Sequence, residues 1–435
     1  MKKQPHLARV LGLGQATLTG LGIIFGAGIY VLVGKAAGIA GNQVWLSFLL
    51  AALVAGLTGL SYAELSSMFP KASAEYEYGK NAFGKRAGFL IGWLALIAGI
   101  VSVATVALGF GGYFSALTGA PIAWLAVGII AFCSLIVFLG VQQSVWIAIL
   151  CTLIETAGLV IIVLLGLPYL NNPALFDFSS FSPFSMLAGA ALIFFAFIGF
   201  EEITRLSEET KKPSKTIPKA LLLAIVISSI VYVLVAATAV SVLGPEKLAN
   251  SNAPLADVAS QLYGSGAFRV LTFTAIVSTF STVLLILLAA SRLMYGISRD
   301  KELPELVSYI HPKTQTPLFA ILMVALLSSF LAVLGDISLV ANATDFVLFL
   351  VFIAVNLTVI MLRYKMPLAN RPFKVPLKVG KFPVLPLLGI LFSALIASAI
   401  SLEIMAFMLA MTIAGLLYFE FHSRKLKQQK RKVAL

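Results

Sequence analysis

A chain of 435 residues that is 60% hydrophobic and 11% charged excludes an ordinary water-soluble domain. Its formal net charge of +13 invites nucleic acid, but the basic residues sit in alternate connections between apolar runs, which excludes that partner and makes them an address for membrane insertion. Cys133 and Cys151 fall inside apolar runs and supply neither a disulfide framework nor metal-ligand spacing.

The apolar runs predict an all-α polytopic membrane protein with twelve spans, over residues 10–37, 43–68, 87–115, 122–140, 146–168, 185–207, 217–243, 267–298, 317–334, 340–363, 383–402 and 404–421. All Lys and Arg residues except Lys35, Lys247 and Arg269 then fall on one side, so the positive-inside rule places both termini in the cytoplasm of a plasma-membrane protein. Met1-Lys2-Lys3 begins no short apolar core with a cleavage site, so no removable signal is expected. The organisation reads as a cytoplasmic N-terminus (1–9), a first five-helix unit (10–168), a second (185–363), two further spans (383–421) and a basic cytoplasmic tail (422–435).

In the first span, glycines stand at positions 20, 22, 26, 28 and 34, and each costs about 1 kcal/mol relative to Ala in a helix. The Gly26-Ala27-Gly28 core is where that helix is expected to open, giving free N–H groups for a carboxylate and free carbonyls for an ammonium or a cation. Close helix packing through small residues explains the same glycines without a site. The inner loop 71–86, with Tyr76 and Tyr78, suits an interfacial helix, and Glu155 lies well inside the fifth span.

The sixth span breaks the pattern a second time: Gly199 is followed by Glu201 and Glu202, and the interruption is expected at residues 198–201. Two interrupted spans, five apart and antiparallel, are the mark of two five-helix halves in inverted repeat with a site at their interface. Pro218 is expected in the first turn of the seventh span. In the eighth, Ser278, Ser281 and Thr282 align on one face, either for a site or for interhelical hydrogen bonds. Asn356 and Thr358 read as packing polars, the last two spans as scaffold or oligomer contact, and His6, His311 and His422 as isolated residues with no metal role.

Four stretches resemble the amino acid–polyamine–organocation superfamily, and within it the prokaryotic relatives of the cationic and L-type amino acid transporters. They are Gly22-Ile-Ile-Phe-Gly-Ala-Gly-Ile-Tyr, Tyr62-Ala-Glu-Leu-Ser-Ser-Met-Phe-Pro, the run from Phe194 through Glu201 to Pro218, and Ser291-Arg-Leu-Met-Tyr-Gly-Ile-Ser-Arg-Asp with Pro304 beyond it. The resemblance implies a leucine-transporter type fold and secondary transport of an amino acid by alternating access. It implies that the substrate carboxylate lies on the backbone amides of Gly26, Ala27 and Gly28, and the ammonium on carbonyls of Ile24, Phe195, Ala196 and Ile198. Side-chain selectivity then falls to Phe200 and Ile286, with Thr105 beside them.

Three departures from the family pattern stand out. Many relatives carry a lysine where this chain has Glu155; the carboxylate here can carry a proton, bind sodium together with Ser278, Ser281 and Thr282, or sit protonated on backbone. Ser73-Ala74 replaces a glycine pair after Pro70, and Glu201-Glu202 doubles the usual single acid, Glu201 matching a position tied to proton sensing in some relatives. Glu64 and Arg292 are candidates for a cytoplasmic gate, or for separate structural ion pairs. The leading function is thus a proton-coupled or exchanging amino acid transporter in the lipid bilayer. Alternatives are a polyamine or cationic amino acid carrier and a non-transporting amino acid sensor. No cofactor is expected beyond a proton or Na+ as coupling ion, no metal site, no enzyme chemistry, and homo-oligomer formation is left open.

Overall fold

The computed structural model describes residues 9–26, 28–179, 181–251, 253–334 and 337–433. The first apolar run forms α1 (Leu13–Ile24), then a bend at Phe25 and Gly26, a wide helical turn (Gly28–Leu32) and α2 (Val33–Ala40). The chain continues through α3 (Val44–Met68), α4 (Ala74–Phe83), α5 (Lys85–Thr118), α6 (Ile122–Leu139) and α7 (Val141–Gly166). The second interrupted run is α8 (Pro183–Ile193), a tight turn (Phe194–Phe197) and α9 (Glu202–Arg205). Next come α10 (Pro213–Leu243), two short helices α11 (Pro245–Ala249) and α12 (Pro254–Tyr263), α13 (Ser265–Arg299), α14 (Leu318–Leu334), α15 (Ile337–Lys365), α16 (Val384–Ala397) and α17 (Leu402–Val433). A two-stranded hairpin, β1 (Lys378–Val379) with β2 (Phe382–Pro383), leads into α16.

Among the described residues, 10 helical stretches are long and apolar enough to cross a membrane, and α14 and α16 are shorter apolar helices. A multi-pass membrane protein follows, because the outward faces are apolar as well: Trp124, Leu150, Phe184, Leu326 and Leu417 all stand exposed. At the centre α13 packs against α5, α7 and α1, α10 packs against α3 and α1, and α8 lies on α3 and α2.

Two local expectations are corrected. Pro213, not Pro218, occupies the first turn of α10, because Lys212 adopts φ 48° and the helix begins one residue later; Pro218 lies inside the helix. The inner-loop helix α4 forms, but Tyr76 and Tyr78 are fully buried rather than set at a lipid interface. The Tyr76 hydroxyl donates to Glu302 Oε1 at 3.3 Å, a partner that lies beyond the end of α13.

Candidate functional site at the two interruptions

A helix that ends inside a bilayer leaves its last carbonyls without partners, and lipid offers none. At the end of α1 three side-chain hydroxyls take that role. Thr282 donates to the Gly22 carbonyl at 3.3 Å, Ser278 donates to the Phe25 carbonyl at 2.8 Å, and the Tyr232 hydroxyl meets the Ile24 carbonyl. Tyr232 reaches the second interruption too, at 3.0 Å from the Ala196 carbonyl. One hydroxyl on α10 therefore faces main-chain oxygens of both broken runs. Its ring is held between Phe25, Phe48 and Phe197, with centroids 5.7, 6.0 and 5.1 Å away. A phenol has one proton, so it satisfies one of the two carbonyls at a time and leaves an acceptor for another donor.

The second interruption is shaped by Gly199, whose φ of +123° is open to glycine and strained for other residues. Ile198 is extended there, and the Gly199 N–H is taken by Glu201 Oε2 at 3.0 Å. The two runs touch at their interruptions. A Cβ on Gly28 would fall 2.4 Å from Ala196 Cα, one on Gly199 would fall 2.3 Å from Ile23 Cγ2, and one on Gly26 would fall 2.3 Å from Thr282 Oγ1. Glycine is thus required by close approach, which is also what the packing explanation of these residues needs.

Ile24, Gly26, Gly28, Ala196, Ser278 and Thr282 are brought together as neighbours. Ala27 lies outside the described residues. Ile198 and Phe195 line the same turn, and the Phe195 carbonyl accepts the Ile198 N–H at 3.3 Å. Glu155 is fully buried on α7: its Oε2 lies 3.4 Å from the Ser281 hydroxyl, while Oε1 has no hydrogen-bond partner among the described residues. The Tyr30 hydroxyl donates to the Glu155 carbonyl at 3.0 Å, tying α7 to the turn after the first interruption. Ile286 is buried on α13, and the Thr105 hydroxyl is turned back onto the Val101 carbonyl at 3.0 Å. Phe200 is packed edge-on against Tyr62 (5.9 Å) and at a tilt against Phe352 (5.4 Å), forming an aromatic floor beneath the interruption.

Glu64 and Arg292 do not pair with each other. Glu64 binds Arg363 (2.8 Å) and Arg371 (3.1 Å), whereas Arg292 binds Glu209 (3.1 Å). The gate pairing is replaced by separate ion pairs, because the arginines of α15 and the segment beyond it pack directly over the end of α3. At the same basic end Glu208 holds Arg299 in a two-pronged pair, at 2.6 and 2.8 Å, and accepts the Ala72 N–H at 3.0 Å. Burial on its own raises that carboxyl, but Arg299 and the Ala72 N–H outweigh it and hold Glu208 below its ordinary range. A depressed carboxyl contributes stability that is present above its unfolded value and lost as pH falls through the folded one. Thermal melts of Glu208→Gln are therefore expected to show a smaller acid-side loss of stability than the parent protein.

Tyr232, which meets carbonyls of both interruptions, is the residue of this candidate site that the sequence reading passed over. The available signal was a lone phenol inside an apolar span, since a buried Tyr hydroxyl in lipid must find a partner. Tyr232→Phe is expected to lower stability by about 1–3 kcal/mol, the penalty for leaving buried acceptors unpaired, read as a lowered melting midpoint in detergent.

Fold and site together define a polytopic membrane protein whose interior polar groups converge on two interrupted spans. The sequence model of the amino acid permease family matches residues 11–415, and the chain belongs to that family. It is 29% identical over 443 residues to the branched-chain amino acid permease BcaP of Bacillus subtilis, covering 97% of this chain and 94% of that one. It is 29% identical to the methylthioribose transporter of the same organism, covering 89% of this chain and 87% of that one. The human cationic amino acid transporter 4 is 30% identical over 83% of this chain and 61% of its own length.

Proposed function

We propose that this protein is a secondary transporter that carries a neutral, aliphatic amino acid across the plasma membrane by alternating access, with Glu155 as the carrier of a coupled proton. The observation that carries the reading is the meeting of main-chain oxygens from both interruptions at one hydroxyl, with Tyr232 3.0 Å from the Ala196 carbonyl. A zwitterion matches such a seat: its carboxylate takes the free N–H groups that begin the turn at Gly28 and its ammonium takes carbonyls of Ile24 and Ala196. This reading arranges the chain as twelve spans in a five-plus-five inverted repeat with two spans added, the basic end and both termini facing the cytoplasm.

An aliphatic side chain is favoured by what surrounds the seat. Ile24, Ile198 and Phe195 are apolar, Glu202 is held by Arg205 at 2.5 Å, and one oxygen of Glu201 is taken by the Gly199 N–H. BcaP, similar along nearly its whole length, is named for branched-chain amino acids. Proton coupling is favoured by the lone Oε1 of Glu155, since an ionised carboxylate sealed from water costs several kcal/mol unless it is paired.

Uptake into proteoliposomes tests the proposal. Saturable leucine or valine flux, accelerated by an inward proton gradient, is the expected result. Stimulation by sodium instead would assign the Ser278–Ser281–Thr282 oxygens to a cation, and strongest uptake of arginine or putrescine would assign a cationic substrate. Ligand-induced thermal stabilisation with no flux of any amino acid or amine would make the protein a sensor and overturn transport.

A further inference from the structure

The connection between α15 and α16 is basic and carries an apolar tip. From Tyr364 to Leu402 the sequence holds Lys365, Arg371, Lys374, Lys378 and Lys381, and no Asp or Glu. Two of these cations are bound to the protein: Lys365 donates to the Ala82 carbonyl at 2.6 Å, and Arg371 donates to Glu64 at 3.1 Å. Lys374, Lys378 and Lys381 are exposed, and their ammonium groups have no hydrogen-bond or ion-pair partner among the described residues.

Residues 371–375 form a strap over the end of α3. The Phe373 N–H donates to the Ser67 hydroxyl at 3.2 Å, and the Val375 N–H donates to Glu64 at 2.8 Å. The chain then turns at Leu377, with φ 55°, into the β1–β2 hairpin. Val379 stands opposite Phe382 across the hairpin, so the two share a face. Leu377 and Val379 are 66% and 74% exposed, beside a turn formed by Gly380 and Lys381. The helix that follows shows what lies next to this tip. α16 begins at Val384, the residue after β2, and Leu387, Leu391 and Leu395 stand exposed along it at four-residue spacing. That spacing makes one outward stripe, which in a membrane protein faces lipid. The hairpin therefore stands at the end of a lipid-facing stripe, where acyl chains meet headgroups. Aliphatic residues flanked by lysines, with no acid between them, match an anionic phospholipid surface: acyl chains receive the first and phosphates the second.

We propose that the β1–β2 hairpin is a docking element for anionic phospholipid, and that docking holds the 371–375 strap against α3. The inference goes beyond the transport reading and stands whatever the substrate is. Each lysine near such a surface favours the docked hairpin about fivefold, so the three together contribute on the order of a hundredfold. Val379→Cys, in protein carrying Cys133→Ser and Cys151→Ser, is tagged with a polarity-sensitive fluorophore. The protein is placed in nanodiscs of phosphatidylcholine alone, or of phosphatidylcholine and phosphatidylglycerol in equal parts. Blue-shifted emission that spin-labelled lipid quenches is expected in the anionic discs, and high salt should reverse it. Lys374→Gln, Lys378→Gln and Lys381→Gln together should return the emission to that of the neutral discs. All three side chains are exposed, so the melting midpoint of this variant in detergent should match the parent's. In untagged protein, hydrogen exchange at Phe373 and Val375 should slow in the anionic discs, and the triple variant should lose that protection. Emission that is the same in both lipids would overturn the proposal, and if the tag stays open to water the face belongs to a protein partner instead. A lipid-dependent shift that survives removal of the three lysines would overturn it as well. Docking without slower exchange at the strap would overturn the hold on α3.

Discussion

Glu155→Gln is expected to abolish the acceleration of uptake by an inward proton gradient while leaving amino acid binding in place. A gradient of one pH unit is worth about 1.4 kcal/mol per proton, an about tenfold accumulation, and that accumulation should collapse to equilibration. The reasoning is local. Glu155 is fully buried on α7, with Ser281 3.4 Å from one oxygen and no hydrogen-bond partner for the other among the described residues. Sealed in this way the carboxyl is stable when it carries a proton; opened to water on either side it can release one. Glutamine copies the shape and polarity of the protonated form and can never change state. The backbone contacts that hold the seat do not involve the carboxylate: Ser278 reaches the Phe25 carbonyl and Tyr232 the Ile24 carbonyl in either case. Counterflow exchange, which needs no net proton movement, should survive in the variant, and its loss would mean that Glu155 shapes the seat itself.

Gly28→Ala is expected to weaken amino acid affinity by roughly five- to 150-fold, since overpacking of this kind costs typically about 1–3 kcal/mol. The added methyl would stand 2.4 Å from Ala196 Cα and 2.9 Å from its N, so it meets main chain that has no rotamer to give way. Relief has to come from separating the two interruptions, which moves the Ala196 carbonyl from Tyr232 and dismantles one side of the seat. Gly56→Ala is the matched control: this glycine lies inside α3 with nothing within 4 Å of a built Cβ, and no effect on affinity is expected. Binding measured by ligand-induced thermal shift separates the two outcomes without requiring transport.

The interruptions were legible in the sequence because each is built from residues that cannot continue a helix cheaply. Gly26 with Gly28 mark the first, and Gly199 followed by two carboxylates marks the second; the structure bends at Phe25 and Gly26 and leaves helical geometry at Ile198. The alignment of Ser278, Ser281 and Thr282 was legible from helical spacing. Their partners were not, because hydroxyls that satisfy another helix's carbonyls leave no trace in their own segment. Distance along the chain hid the rest. Arg205 and Glu75 are 130 residues apart, and Glu64 finds Arg363 at a separation of 299. A buried guanidinium announces that it needs carboxylates, but several stood in reach of Arg292, and tertiary packing chose Glu209 rather than Glu64. Pro218 misled for a local reason: Pro213 stands one turn earlier, and a proline five residues into the helix is tolerated there.

The most direct measurement is a cryo-electron microscopy map of the protein with bound leucine. The account predicts both runs interrupted, at residues 25–28 and 198–201, with the carboxylate against main-chain nitrogens of the first and the ammonium against the Ile24 and Ala196 carbonyls. Leucine density elsewhere, or a helix running unbroken through either stretch, would contradict it.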